Sequence, residues 1–159
     1  MDAGTKKVSV RLVKSKAVIA DRCVVAESFF ERLRGLIGRD RLVDGEGMLF
    51  HRCNDIHMWF MSIPIDVVFL TKSAQQSEQA QGESEFVNAD QRATGAPGPN
   101  GPAAQKGGPV FYKVASIRRG LRPWRPLPVR DGQATETLEL PAGTIDRCAI
   151  GVGDQLCIS

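Results

Sequence analysis

The chain has 159 residues, 25% of them charged and 42% hydrophobic, with a net charge of +3 at pH 7. Such a composition fits one globular domain and excludes a fibrous chain or one that is low-complexity throughout. The mild positive charge makes no strong case for nucleic acid or an anionic membrane as partner, and no run reaches the ~18 apolar residues of a membrane span.

The N-terminus, MDAGTKKVSVRLV, has no apolar h-region and no small-residue cleavage site. Cys23, Cys53, Cys148 and Cys157 are widely spaced with no C-x-x-C pair. Reduced thiols in a cytoplasmic protein are therefore expected, not a disulfide framework.

Val8, Val10 and Leu12 alternate with polar residues, a period-2 pattern that predicts a strand. After a turn at residues 14–16, residues 17–26 form a second extended segment, and a hairpin is the simplest pairing. Ser28 with Glu31 then fits a capping box. Phe29, Leu33, Leu36 and Ile37 share one helical face, and Gly38 supplies a left-handed terminating residue.

Residues 44–47, DGEG, are turn chemistry. Met48, Leu49 and Phe50 predict a short buried strand. The most apolar stretch follows at residues 57–70, HMWFMSIPIDVVFL, expected to hold the central strand pair. Pro64 cannot donate to a ladder, so the stretch must bend, bulge or reach an edge there. Residues 65–70 are expected to be buried on both faces except at Asp66.

Composition changes at Thr71. Residues 72–109 are rich in Gln, Ser, Glu, Ala, Gly and Pro, with Phe86 and Val87 as their only large apolar side chains. They predict a low-complexity disordered insertion between two strands. Strand character returns at residues 110–117. An arginine-rich, proline-bounded connection follows at residues 118–126. Residues 135–140 then predict a strand with one wet face. Thr144 is expected to cap one helical turn reaching Cys148, and residues 155–158 form a last strand. The pattern predicts a mostly β domain (α+β, with one or two short helices) formed by residues 8–71 and 110–159.

Several motifs occur in order: Glu31-Arg32 with Gly35-Leu36; Gly47-Met48-Leu49-Phe50; Phe60-Met61 with Ile63-Pro64-Ile65-Asp66-Val67-Val68-Phe69; Leu138-Glu139-Leu140-Pro141-Ala142-Gly143-Thr144; and Gly151-Val152-Gly153-Asp154. In these the chain resembles the family called domain of unknown function 192. Pro123-Trp124-Arg125 resembles a subgroup of it. The resemblance implies a compact, barrel-like β domain with a short helix, and no established activity. Relatives join the two strands by a tight turn where this chain inserts residues 72–109, and many carry a signal peptide or lipid anchor.

Both histidines fall in one segment, His51-x-Cys53-x3-His57. They are metal-ligand types, yet a structural zinc site needs four ligands and no second pair has the usual spacing. No metal or other cofactor is expected. Cys53 with His57 would make a thiol nucleophile and base, which defines the alternative reading, a metal- or thiol-dependent enzyme.

Asp66, inside an apolar strand, requires a partner, and Arg32 or Arg125 is the expected one. Trp59, Phe60 and Met61 would line a groove, with at least two of them in the core. Arg118, Arg119, Arg122, Arg125 and Arg130 around Trp124 are the one basic-aromatic concentration, the basis of a further alternative, weak nucleic-acid binding. The leading expectation is a non-enzymatic binding protein for a small molecule or a protein segment. Its site residues are His57, Trp59, Phe60, Asp66, Trp124 and Arg125.

Overall fold

Alternation at Val8, Val10 and Leu12 turns one face of β1 (Lys7–Leu12) inward, and all three side chains are buried. The structure, a computed structural model, describes residues 6–27, 35–73 and 108–159. β1 pairs antiparallel with β2 (Val18–Ala26), as the hairpin pattern predicts. β3 (Gly45–His51) runs parallel to β2, with Val24 opposite Met48 and Ala26 opposite Phe50. A parallel pair needs a crossover connection, here residues 27–44. Ser28 and Glu31 of the expected helix lie outside the described residues. Leu36 is buried, and Gly38 (φ 76°) takes the left-handed conformation expected of it.

The remaining elements are β4 (Asp55–Ile56), β5 (Ile65–Lys72), β6 (Val110–Leu121), β7 (Val129–Arg130), β8 (Glu136–Pro141), α1 (Thr144–Arg147) and β9 (Gln155–Ile158). Seven strands close into a barrel in the order β1-β2-β3-β8-β5-β6-β9, and β4 pairs with β7 as a separate ribbon. Closure leaves no unpaired edge among the seven.

Two apolar layers follow from the pleat. Val10, Leu49, Val68, Leu70, Leu138 and Leu156 fill the barrel interior. Phe50, Met58, Met61, Ile65, Val67 and Phe69 pack together as a second cluster, on the outer face of the wall. β5 contributes alternate residues to each layer, which is why residues 65–70 read as an unbroken apolar run. Each fully buried side chain of this size contributes roughly 1.5–3 kcal/mol.

Several expectations are corrected. Residues 57–64 are not a strand, because Met58, Met61 and Ile63 fold back as a cover over the outer face. Pro64 therefore immediately precedes the strand. β6 continues through Arg118 and Arg119 to Leu121, so the connection starts at Arg122. β8 has no wet face, since all six of its residues are buried. Gly143 (φ 86°), not Thr144, occupies the N-cap of α1. The insertion expected at 72–109 falls largely on residues 74–107, outside the described residues. Its flanks meet, with the Ser73 N–H donating to the Phe111 carbonyl at 3.1 Å.

Candidate functional site

Asp66 is 1% exposed. Its Oδ1 accepts the Gly120 N–H and its Oδ2 the Ile145 N–H, both at 2.8 Å. Among the described residues neither of these partners is an arginine. Arg125 is exposed, Arg32 lies outside the described residues, and two backbone donors satisfy the carboxylate. Asp66 thereby ties the end of β6 to the start of α1. It is a buried joint, not part of a surface site, and residues 65–70 are all buried, Asp66 included.

The other expected residues do gather. The Trp124 N–H donates to the Met58 carbonyl at 2.9 Å, and Trp59 Nε1–H donates to the Pro126 carbonyl at 3.3 Å. These bonds clamp the 57–63 segment to the 122–127 segment. Phe60 and Trp124 meet edge to face at 5.3 Å, and His57 lies 5.6 Å from the Trp59 ring. Trp59, Phe60, Trp124 and Leu127 are 48%, 61%, 62% and 68% exposed. Met61 alone of the 59–61 triplet is buried, which corrects the expectation that at least two would be. The reason is local. Phe60 (φ 60°) sits in a turn, so neighbours do not alternate across a strand. Trp124 (φ 58°) shares that left-handed conformation.

The basic concentration divides. Arg118 lies over the Phe69 ring at 5.9 Å, and Arg119 Nε donates to Asp146 at 2.7 Å. Arg122 and Arg125 are exposed beside the aromatics, and among the described residues neither makes an ion pair. Arg130 belongs to β7, opposite Asp55.

His51, Cys53 and His57 are not brought together. His51 Nδ1 lies 2.5 Å from Oε2 of Glu136, which is buried at the start of β8. His57 is exposed. Cys53 Sγ donates to the Asp55 carbonyl at 3.1 Å. Among the described residues no cluster of three or more His, Cys, Asp or Glu side chains is arranged to hold a metal ion. All four cysteines are free thiols, and burial pushes that of Cys23 up to about 12.

Charge chemistry that the sequence pattern did not single out lies on β8 and around it. Burial pushes the Glu139 carboxyl up to about 8. Burial, then the nearby charge of Glu136, raises the Tyr112 phenol. A hydrogen bond from Ser116, with backbone donation from Gln133, holds Asp131 below the usual carboxylate range. Burial opposes ionisation of Asp154, yet Lys14 at 2.7 Å and the Gly151 N–H at 2.7 Å hold it low.

Residues 11–92 match the family DUF192, described as Uncharacterized ACR. The chain belongs to this family. The matched stretch contains β3 and β5, and Asp66 of β5 meets the β8–α1 corner by accepting the Ile145 N–H.

A protein of Sinorhizobium meliloti 1021, described as a candidate transcription regulator, superposes with a TM-score of 0.66 at 20% identity, over 98% of this chain and 96% of that one. A protein of unknown function from Novosphingobium aromaticivorans DSM 12444 superposes with a TM-score of 0.61 at 21% identity, over 96% and 84%. At such identities the likeness is one of fold. No curated protein matches the chain. Among the described residues no helix is long and apolar enough to cross a membrane.

Proposed function

We propose that this DUF192 chain is a non-enzymatic binding protein that seats an acidic, apolar-anchored segment of a partner protein. The platform for it is His57, Trp59, Phe60 and Trp124, flanked by Arg122 and Arg125. The supporting observation is the exposure of three large aromatic side chains on two segments clamped by backbone hydrogen bonds. Exposed apolar patches of this kind mark interaction surfaces, and tryptophan and arginine are the residues that dominate binding energy in them.

Conformational strain supports the same reading. A bulky residue at positive φ costs roughly 1–3 kcal/mol and persists where the surroundings enforce it, and Phe60 and Trp124 both adopt it. The exposed guanidinium groups of Arg122 and Arg125, which form no ion pair among the described residues, favour acidic residues in the partner. In this reading residues 8–71 and 110–159 act as one domain, Pro123-Trp124-Arg125 marks a subgroup of the family, and the protein works in the cytoplasm. Asp66 belongs to its scaffold.

The chain has two tryptophans, and both lie on the platform, so intrinsic fluorescence reports on it directly. A synthetic peptide with alternating leucine and glutamate should shift the emission to the blue. Its lysine counterpart should not, and Trp124→Ala should abolish most of the response. An unchanged spectrum, or an equal response to the lysine peptide, overturns the proposal. A response to oligodeoxythymidylate in place of the acidic peptide would assign the platform to single-stranded nucleic acid instead.

A further inference from the structure

The interior side chains of the barrel leave a recess among the described residues. A cavity of about 140 Å³ opens there, walled by Val8, Val25, Leu49 and Ile158. These belong to four different strands, and all point inward by the pleat. Barrel mouths are habitual ligand positions, because strand ends converge polar groups on an apolar wall. A dry apolar cavity of about 150 Å³ accommodates benzene, so this one takes a body of about six carbon atoms.

Polar groups meet the wall on one side. His51, Tyr112 and Lys6 all line the cavity. His51 and Tyr112 are held by their surroundings, and Lys6 is anchored through its backbone. His51 is held by Glu136 at 2.5 Å. Tyr112 is 3% exposed and sits in the β6–β9 ladder opposite Leu156. The Lys6 carbonyl accepts the Val25 N–H at 2.9 Å.

The electrostatic balance selects the ligand's head group. Glu136 does not line the cavity, and its carboxylate is hydrogen-bonded with the His51 imidazole. The Tyr112 phenol, raised by burial and by Glu136, stays protonated and donates. The Lys6 ammonium, 3.9 Å from Glu27 at an exposed position, adds positive charge at the rim. Donors and a cation line the cavity, and no aspartate or glutamate does.

We propose that the barrel mouth is a binding site for a small monocarboxylate with an apolar body, its carboxylate received by Tyr112 Oη–H and Lys6 Nζ and its body by the valine, leucine and isoleucine wall. His51 and Glu136 form the fixed side of the site. The site is separate from the aromatic platform, and either can exist without the other.

The probes are hexanoate, hexan-1-ol and hexylamine, titrated into the full chain and followed through the ring resonances of Tyr112 and His51. Hexanoate should shift these signals at millimolar concentration, with the alcohol and the amine at least tenfold weaker. Tyr112→Phe removes the donor without changing the wall, and loss of a hydrogen bond to a charged group should weaken hexanoate roughly tenfold. Should that variant fail to fold, Lys6→Gln, at an exposed position, should also weaken hexanoate and leave hexan-1-ol unaffected. The proposal is overturned if hexanoate leaves both rings unmoved. It is equally overturned if the alcohol binds as well as the acid, or if shifts appear at Trp59 and Trp124 in place of the mouth.

Discussion

Glu139 offers the sharpest quantitative test. It stands on β8 between Met48 of β3 and Val67 of β5, 7% exposed, with no hydrogen-bond or ionic partner among the described residues. Burial raises its carboxyl from an ordinary 4.5 to about 8, so the folded protein holds this proton more tightly than the unfolded chain does. Its contribution to stability is therefore complete below pH 4.5 and is lost as pH rises towards 8.

Across that window the wild type should lose stability from this group alone, roughly 3 kcal/mol in all between pH 5 and pH 8, the loss flattening near either end. Glu139→Gln imitates the protonated acid in shape and cannot ionise. Urea denaturation of both proteins at half-unit pH steps isolates the effect, because other titrating groups cancel in the difference. The two should be nearly equal at pH 5, and the glutamine variant should be the more stable by roughly 3 kcal/mol at pH 8. Parallel curves, or a difference that shrinks with rising pH, would refute the buried-acid argument.

Other consequences are as direct. Asp66→Ala orphans the N–H groups of Gly120 and Ile145 and should cost roughly 2–5 kcal/mol in the same assay, whereas Asp66→Asn, keeping one acceptor, should cost less. A Cβ at Gly47 would lie 3.2 Å from the Glu139 carbonyl and from Leu140 Cδ2, so Gly47→Ala should destabilise by about 1–3 kcal/mol through overpacking. Cys23, buried and pushed up to about 12, should resist iodoacetamide at pH 8 until denaturant is added, as mass spectrometry of labelled peptides would show.

Much of the fold is legible because burial leaves a pattern. β1 alternates, β5 is continuously apolar, and β9 follows a glycine-marked turn. The errors have identifiable causes. Residues 57–63 carry apolar side chains with no clean period, so a cover over the outer face reads like the strand it covers. A phenylalanine or tryptophan at positive φ has no compositional signature, whereas Gly38 announces itself. Asp66 demanded a partner, but backbone amides leave no trace in a sequence, and arginines were the visible candidates. Thr137 and Glu139 alternate with leucines as a half-wet strand would. Only knowledge that a second apolar layer covers that face reveals them as buried. His51 and His57 are close in sequence, but the turn after β3 sends them to different neighbours.

The contact between Ser73 and Phe111 bears on how the chain can be divided. Residues 74–107 leave and rejoin the barrel at neighbouring points on the β5–β6 ladder. On one side of them lie β1, β2, β3 and β5, and on the other β6, β8 and β9. The barrel order interleaves the two sets, since β8 sits between β3 and β5 and β9 between β6 and β1. Neither piece can close the barrel by itself, yet each presents the edges that the other requires. A single cut in residues 74–107 should thus leave a two-chain barrel that survives dilution, and the pieces made separately should recover the fold only on mixing. The chain is in effect a complementation pair carried on a single polypeptide.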